Sequence, residues 1–170
     1  MPMPTPDKVI HLLEDMGQTV ATCESLTGGL ICGTLTSVPG SSEVVRGGLI
    51  TYATDLKTQL AGVDASLIRA HGVVSSEVAQ AMAEGVRRVC GADWGIGVTG
   101  VAGPGPSDGV EAGTVWLAVV GPMYRSVIEL RLEGDRSHVR TNTVTSAVAV
   151  LYHLLTASEN PSQTGFGTVN

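Results

Sequence analysis

Short runs of apolar, strand-like residues alternate along the chain with segments whose apolar residues recur at helical spacing. The strand-like runs are TVATCE (19–24), EVVRGGLITYAT (43–54), DWGIGV (93–98) and GTVWLAVVG (113–121). Strands that alternate with helices build parallel or mixed sheets covered by helices. The pattern therefore predicts an α/β fold, a single-domain αβα sandwich with a mixed, partly parallel sheet.

The last two strands are predicted to form a β-hairpin. GTVWLAVVG ends at a turn formed by Pro122 and Met123, and YRSVIELRL (124–132) follows it. In this second run Tyr124, Ser126, Ile128, Leu130 and Leu132 alternate with Arg125, Val127, Glu129 and Arg131. Alternation at a period of two is typical of a strand with one buried and one exposed face.

Polar caps mark where several helices begin. Thr5, Ser75 and Asp135 each precede a segment with apolar residues at helical spacing, and a side-chain oxygen there can accept a hydrogen bond from the first turn. Two further short helices, DLKTQLAGV (55–63) and DASLIRAHG (64–72), each begin with an aspartate and end near a glycine. Helices therefore separate the second and third predicted strands.

Length and composition favour one folded domain. A chain of 170 residues, of which 43% are hydrophobic, can bury a sizeable core, and no internal repeat or interdomain linker is present. We predict that this domain spans residues 1–157. The final segment, SENPSQTGFGTVN (158–170), lacks apolar periodicity and is predicted to be a disordered tail.

The charge pattern limits the classes of binding partner. The formal net charge is −6 and no run of lysines or arginines occurs, so the basic surface of a nucleic-acid-binding protein or a polybasic membrane anchor is absent. The N-terminal MPMPTPDKV lacks the features of a secretory signal, and no apolar run approaches the roughly 20 residues that a membrane span needs. We therefore predict a cytoplasmic protein that binds a small molecule and neither nucleic acid nor membrane.

Cysteine and histidine spacing indicates neither a metal site nor a disulfide framework. The cysteines are scattered, and we predict them to be reduced and partly buried. The histidines show no metal-ligand spacing and no evident carboxylate partner, so we expect no metal and assign them no chemistry. These residues are Cys23, Cys32, Cys90, His11, His71, His138 and His153.

The stretch GIGVTG (95–100) matches the G-x-G-x-x-G pattern of dinucleotide-binding folds, but the match is rejected. In those folds the glycines end a strand and open a helix whose N-terminus receives the pyrophosphate. Here the first glycine lies inside the predicted strand, and Pro104 and Pro106 follow in a loop. The Gly-Lys-Ser or Gly-Lys-Thr of a phosphate-binding loop is also absent, and we predict no cofactor.

Ser25 lies between the strand TVATCE and a helix-like segment in which Leu26, Leu30, Ile31 and Leu35 recur at helical spacing. Its surroundings, CESLTGGL (23–30), are compatible with a helix N-cap, a cradle for an anion, or a nucleophile.

The N-cap is the interpretation that this stretch alone favours, with the Ser25 hydroxyl accepting a hydrogen bond from the amide of Thr27 or Gly28. The pair Gly28 and Gly29 weakens it, because each glycine in a first helical turn costs on the order of 1 kcal/mol. Free amides from Thr27 to Gly29 would instead suit an anion or a developing oxyanion.

A serine nucleophile needs a base, and Lys57 is the candidate. The chain contains only two lysines, Lys8 and Lys57, and no histidine is well placed by pattern. Lysine can replace histidine when burial or neighbouring cations lower its pKa towards neutrality, although a solvated lysine is the more ordinary interpretation of the sequence alone. Tyr52, at the end of the preceding strand, could relay a proton or contact the serine oxygen, but a packing role is more usual for tyrosine.

Two further segments are predicted to bind substrate. Arg136 and Arg140, in GDRSHVR, lie one helical turn apart and could hold a phosphate, though alone they would form a solvated edge. The loop TGVAGPGPSDGVEA is too rich in glycine and proline to be helical, and loops of this kind often contain binding sites. We predict ligand contacts from its residues Thr99, Gly100 and Gly103.

These segments together resemble the C-terminal domain of the CinA (competence/damage-inducible) family. The resemblance runs from about Thr19 to Leu155. It depends on ESLTGGL, VPGSSEVVRGGLITYATDLKTQLAGV, HGVVSSEVAQAMAEGVR, GVTGVAGPGPSDG, GTVWLAV and GDRSHVR, in that order. Such an ordered series is far more specific than any one motif.

Stand-alone members of that family are nicotinamide-nucleotide amidohydrolases. The resemblance therefore implies hydrolysis of the carboxamide of nicotinamide mononucleotide to nicotinic acid mononucleotide and ammonia, without a metal, as part of pyridine-nucleotide salvage. By matching position, it implies that Ser25 is the nucleophile, Lys57 its base, Tyr52 a supporting hydroxyl, and an arginine of GDRSHVR a substrate contact. It also implies a homodimer or higher homo-oligomer.

The sequence departs from the family pattern in one loop. Family members often have more glycines and a Lys-Pro before the Gly-Thr-Val strand, whereas this chain has GPGPSDGVEAGTV. Longer members have an N-terminal domain that acts on dinucleotides such as ADP-ribose, and we expect only the amidohydrolase half here. Two alternatives stay open: a non-catalytic nucleotide-binding or regulatory module, and an amidase for another small amide, which the altered loop would favour.

Overall fold

The computed structural model describes residues 2–161. The strands are β1 (Val20–Glu24), β2 (Val45–Ile50), β3 (Trp94–Gly100), β4 (Thr114–Val120) and β5 (Arg125–Arg131). The helices are α1 (Pro6–Met16), α2 (Leu30–Thr36), α3 (Thr54–Ala61), α4 (Ala65–His71), α5 (Ser76–Cys90) and α6 (Arg136–Glu159), with a short 3₁₀ turn at Ser41–Glu43.

The five strands form one mixed sheet in the order β2-β1-β3-β4-β5. Strand β1 pairs in parallel with β2 on one side and with β3 on the other. Strands β3, β4 and β5 are antiparallel, and β4 and β5 form the predicted hairpin. The predicted α/β class, the mixed sheet and the hairpin are therefore confirmed.

Helices cover both faces of this sheet, which confirms the predicted αβα sandwich. On one face α1, α2 and α6 pack on apolar strand residues that include Trp94, Ile96 and Leu117. On the other face α3, α4 and α5 pack against residues that include Ala21 and Cys23. Burial on both faces explains why the central strands are almost continuously apolar.

Two glycines of GIGVTG, Gly95 and Gly97, allow a helix to pack closely on the sheet. All glycines of this stretch lie within β3, which continues to Gly100, although the predicted strand ended at Val98 and left Gly100 in the following loop. A Cβ atom on Gly95 would collide with the carbonyl oxygen of Ala83, and one on Gly97 would collide with that of Ala79. Both contacts are with the backbone of α5, so the glycines allow this helix to lie directly on the sheet.

The helix caps agree with the sequence in three cases and differ in two. Ser75, Asp64 and Asp135 each accept a hydrogen bond from an amide of the first turn. Thr5 makes no such side-chain bond, although Pro6 begins α1. Helix α3 begins at Thr54, so Asp55 lies within the first turn and does not cap it.

Helix α6 continues to Glu159, beyond the predicted start of the tail at Ser158. Residues 162–170, which make up most of that predicted tail, lie outside the described residues, so their disorder stays a prediction. Between residues 2 and 161, no helix combines the length and apolar character that crossing a membrane requires.

Candidate active site

Strand β1 places Ser25 at the C-terminal end of the parallel part of the sheet, which is where ligands bind in open α/β folds. Side chains alternate between the faces of a strand. Thr22 and Glu24 consequently lie on the α2 side, where the Glu24 carboxylate bonds to amides of α2. Cys23 and Ser25 lie on the opposite side, where Ser25 contacts Lys57 of α3.

The turn after Ser25 differs from the prediction. We expected the helix to begin directly after Ser25, but residues 26–29 form a turn and α2 begins at Leu30. Gly28 and Gly29 have φ angles of 59° and 102°, in the left-handed region that favours glycine. Ser25 is therefore not the N-cap of α2, and turn geometry explains the glycine pair.

Ser25 and Lys57 lie within hydrogen-bond distance, as predicted. The Lys57 ammonium nitrogen, Nζ, is 3.1 Å from Ser25 Oγ and 2.6 Å from the carbonyl oxygen of Thr51. Only 1% of Lys57 and 8% of Ser25 is exposed to solvent. The solvated lysine that the sequence alone favoured is thus excluded.

Burial lowers the pKa of Lys57, because the charged form loses its hydration. Within the described part of the chain, no carboxylate forms an ion pair with its amine. Burial also raises the pKa of the neighbouring Cys23 thiol to about 11, so this thiol is neutral at pH 7. The surroundings of Lys57 therefore favour a neutral amine, which can accept a proton.

A cavity of about 380 Å³ opens beside this pair. Ser25 and Lys57 lie in its wall together with residues 73–74, which precede α5, and residues 99–108, which form the end of β3 and the loop after it. The charged side chains that line it are Lys57, Asp108 and Arg136. A volume of this size falls within the range of small-molecule sites, about 300–1,000 Å³.

Arg136 connects two walls of the cavity at its mouth. Its guanidinium donates to the carbonyl oxygen of Gly103 at 2.7 Å and to the Tyr52 hydroxyl at 3.0 Å. Tyr52 is 61% exposed and contacts Arg136 rather than Ser25. The structure thus brings Tyr52 to the cavity, but as a partner of the arginine and not as a relay to the serine.

Arg140 occupies a different position from Arg136. Its Nε donates to the carbonyl oxygen of Leu26 at 3.0 Å, and the side chain is absent from the cavity wall. Arg140 therefore holds the turn after Ser25 through a residue of that turn and does not line the cavity. The predicted pairing of the two arginines around one ligand is not formed in this structure.

The predicted oxyanion amides of Thr27, Gly28 and Gly29 also lie outside the cavity wall. The Gly28 amide donates to the carbonyl oxygen of Ser25 at 3.1 Å and is not free. Leu26 does line the cavity, and its amide has no hydrogen-bond acceptor among residues 2–161. The Leu26 amide, directly after Ser25, is therefore better placed to donate to an oxyanion in the cavity than the amides of Thr27, Gly28 and Gly29.

The end of β3 and the glycine-rich loop after it also line the cavity. Thr99, Gly100 and Gly103 all line the cavity, and their contact with a ligand stays a prediction. The Thr99 hydroxyl donates to the carbonyl oxygen of Val73 at 2.8 Å, so it joins the end of β3 to the loop before α5. Ala102 and Gly103 also line the cavity, and their amides have no acceptor within the described ranges.

Glu24 is a buried residue of this region that the sequence analysis missed. It directly precedes Ser25 and is 1% exposed. Its carboxylate accepts hydrogen bonds from two threonine hydroxyls and two backbone amides. The available signal was a charged residue at the end of an otherwise apolar strand, because a buried carboxylate needs several donors.

Two histidines have carboxylate partners that the spacing did not indicate. His71 lies 3.5 Å from Glu77, and His138 lies 2.9 Å from Asp135, both on exposed surfaces. The three cysteines are free, and Cys23 is fully buried. Over residues 2–161, no group of three or more histidine, cysteine, aspartate or glutamate side chains is arranged to hold a metal ion.

The family model of the CinA C-terminal domain matches residues 3–155. A CinA-like protein of Frankia casuarinae is 43% identical over 159 residues, which cover 94% of this chain and 37% of the relative. A CinA-like protein of Acidobacterium capsulatum is 50% identical over 133 residues, covering 78% of this chain and 32% of the relative. The chain thus spans about a third of the length of these relatives.

Solved structures show the same fold. The competence-damaged protein (CinA) superfamily protein from Klebsiella pneumoniae has a TM-score of 0.85 and 31% identity, covering 89% of this chain and 95% of its own. The competence/damage inducible protein CihA from Agrobacterium tumefaciens has a TM-score of 0.82 and 35% identity, covering 91% of this chain and 98% of its own.

Proposed function

The chain belongs to the CinA C-terminal domain family, and from that premise we propose that it hydrolyses nicotinamide mononucleotide to nicotinic acid mononucleotide and ammonia. The observation that supports this proposal most strongly is the contact between Ser25 and the buried Lys57. A serine and a lysine in this arrangement are a nucleophile and its general base. Their position in a cavity wall gives both access to a small substrate.

The first step joins the serine oxygen to the carboxamide carbon. Neutral Lys57 accepts the proton of Ser25 as Oγ attacks, and the carbonyl π electrons move to oxygen. The carbonyl oxygen of Thr51 accepts a hydrogen bond from the same amine and thereby orients its lone pair towards Ser25. When the tetrahedral intermediate collapses, the C–N bond breaks and protonated Lys57 gives its proton to the departing ammonia.

The second step returns the enzyme to its starting state. Lys57, neutral again, accepts a proton from a water molecule that attacks the ester carbon. The ester C–O bond then breaks, Ser25 Oγ recovers a proton from Lys57, and the product leaves as the carboxylic acid, which loses its remaining proton to solvent. Water is the only co-reactant and no oxidation state changes, so the reaction needs no redox partner, and in this scheme Lys57 supplies the base for both steps.

The developing oxyanion needs hydrogen-bond donors near the nucleophile. We assign the Leu26 amide to this role because it follows Ser25, lines the cavity and lacks an internal acceptor. An amide directly after the nucleophile supplies the same donor in other serine hydrolases. Loss of one such donor typically costs about 10²–10³ in kcat.

The nucleotide phosphate is the remote part of the proposed substrate. Arg136 lies at the cavity mouth, carries a positive charge and makes no ion pair within residues 2–161. A phosphate there would gain charge-assisted hydrogen bonds and hold the carboxamide in position for attack. Binding energy from the phosphate would therefore contribute to the rate as well as to affinity.

An amidase for another small amide is the second candidate function. Asp108 favours it, because this carboxylate lies in the cavity wall within the loop that departs from the family pattern. A negative charge there opposes a second anionic group and favours a cationic or neutral one. We likewise propose a cytoplasmic location, from the sequence pattern, and a homodimer or higher homo-oligomer, from the family resemblance.

Ammonia release tests the proposed function. Purified protein incubated with nicotinamide mononucleotide should release ammonia and nicotinic acid mononucleotide in equal amounts, with or without a chelator. A chelator-sensitive rate that a divalent cation restores would contradict the Ser25–Lys57 mechanism. Turnover of a different amide, with none of the nucleotide, would support the second candidate function instead.

A further inference from the structure

We propose that Glu24 is a positioning residue for the nucleophile, an inference that rests on the proposed amidohydrolase function. Glu24 does not line the cavity and so would not touch substrate. It acts through the turn of residues 25–29, which places Ser25 Oγ and the Leu26 amide. The inference extends the site from the groups that react to the buried carboxylate that holds them.

The contacts of Glu24 occupy both carboxylate oxygens. Oε1 accepts from the Thr27 hydroxyl at 2.7 Å and from the Ile31 amide at 2.8 Å. Oε2 accepts from the Thr22 hydroxyl at 3.0 Å and from the Cys32 amide at 3.0 Å. Both amides belong to the first turn of α2, so one side chain joins β1, the turn and the following helix.

This arrangement changes the role of the α2 N-terminus. Helix N-termini attract anions, and the sequence analysis assigned that attraction to the developing oxyanion. Here the amides of Ile31 and Cys32 already bind an internal carboxylate. The N-terminus of α2 therefore fixes Glu24, and Glu24 in turn fixes Thr27, two residues after the nucleophile.

Three other contacts restrain the same turn. The Ser25 amide donates to the carbonyl oxygen of Val98 on β3, and Arg140 donates to that of Leu26. The Gly28 amide donates to the carbonyl oxygen of Ser25. None of these bonds uses the Leu26 amide, so the restraints leave this donor free for a ligand. Preorganised donors of this kind lower the cost of reorganisation during reaction.

A carboxylate suits the Glu24 position better than an amide does. All four partners can donate, and a carboxylate only accepts. In Glu24→Gln, the new NH₂ group would face either the Ile31 or the Cys32 amide. A backbone N–H can only donate a hydrogen bond, so the bond between the side chain and that amide is lost. The turn is then free to shift.

The test compares Glu24→Gln with the control Asp93→Asn in the ammonia-release assay. Asp93 is also a carboxylate that ties β1, but it bonds the Thr19 amide at 2.8 Å, at the strand end opposite Ser25. We expect Glu24→Gln to lower kcat at least tenfold and to change KM less than twofold. Asp93→Asn should retain kcat within twofold of the parent protein, after correction for the folded fraction by circular dichroism.

A second pair of variants covers the case in which Glu24→Gln fails to fold. Thr27→Val keeps the branched shape and removes the hydroxyl that contacts Glu24, whereas Thr27→Ser keeps the hydroxyl and removes a methyl group. Positioning through the hydrogen bond predicts a lower kcat for Thr27→Val and a near-normal kcat for Thr27→Ser. Equal kcat in both, or a larger loss in Thr27→Ser, would overturn the inference.

These outcomes are separate from failure of the proposed function. If the parent protein releases no ammonia from nicotinamide mononucleotide, the proposed function fails and the inference fails with it. If the parent is active and Glu24→Gln retains its kcat, only the positioning role is wrong. A parallel loss of kcat in Glu24→Gln and Asp93→Asn would show general destabilisation and would also overturn the inference.

Discussion

Lys57 Nζ lies 3.1 Å from Ser25 Oγ in a region where both side chains are buried. The contact joins the end of β1 to α3 and brings together residues that are far apart in the sequence. No carboxylate pairs with Lys57 within residues 2–161, so no ion pair offsets the effect of burial on its charged form. Burial therefore shifts Lys57 towards the neutral amine that a general base requires.

The first prediction concerns the pH dependence of the rate. Burial lowers the pKa of Lys57 from the ordinary 10.5, and only the neutral amine can accept the serine proton. We expect kcat/KM to rise with pH through the lowered pKa and to level off above it. Lys57→Arg should lack this activity, because arginine keeps its proton throughout the range. A rate that falls over the same pH range, or an active Lys57→Arg, would contradict the assignment.

The second prediction concerns the cost of burying Lys57. Below its lowered pKa the folded protein must bury a charge that the unfolded chain exposes to water, so the folded state loses stability there. Between that pKa and 10.5 the unfolded chain binds more protons, and stability rises with pH. The Tm of Lys57→Met should therefore exceed that of the parent by the largest margin at low pH. This difference should shrink as the pH rises towards 10.5. A relative Tm that increases with pH would show that burial does not oppose the charge.

Much of the fold could be predicted from the sequence because its elements depend on local patterns. Apolar runs and helix caps located the strands and most helices, and Ser25 was found at a strand end. The start of α2 was misplaced because Leu26 continues the helical spacing while Gly28 and Gly29 adopt positive φ. The spacing of apolar residues predicts which side chains share a helix face, but it does not predict the residue at which the helix begins.

The parts of the site that could not be predicted depend on contacts between distant elements. The bond from Arg140 to the Leu26 carbonyl joins α6 to the turn after β1, and no pattern in either segment indicates it. The partners of Glu24 depend on how the first turn of α2 folds back on β1. Lys57 was named as a base, but its burial became evident only from packing.

The third prediction separates the two arginines. Arg136 lines the cavity, so Arg136→Ala should raise KM for nicotinamide mononucleotide by about tenfold or more, equivalent to a lost charge-assisted hydrogen bond. Arg140 supports the turn, so Arg140→Ala should lower kcat or Tm with a smaller effect on KM. Steady-state kinetics on both variants and on the double variant would measure this. Unchanged kcat/KM in all three would show that the phosphate is held elsewhere, by amides of the glycine-rich loop.

The fourth prediction compares two glycine-to-alanine changes of opposite sign. At Gly97 a Cβ would collide with the α5 backbone, so Gly97→Ala should destabilise the protein by about 1–3 kcal/mol. At Gly33, inside α2, no heavy atom of residues 2–161 outside the helix's own adjacent backbone lies within 4 Å of the added Cβ. Gly33→Ala should stabilise the protein by up to about 1 kcal/mol through helix propensity. Urea denaturation gives both free energies, and equal effects would contradict the packing account of β3.

The most direct test of the central claim measures turnover and binding of nicotinamide mononucleotide in the parent protein and in Ser25→Ala. We predict that the parent releases ammonia and nicotinic acid mononucleotide in equal amounts. Ser25→Ala should lose at least about 10³-fold in kcat while retaining a similar Kd by calorimetry, because the variant lacks only the nucleophile. A parent that binds the nucleotide without releasing ammonia, or a Ser25→Ala variant that remains active, would contradict the account.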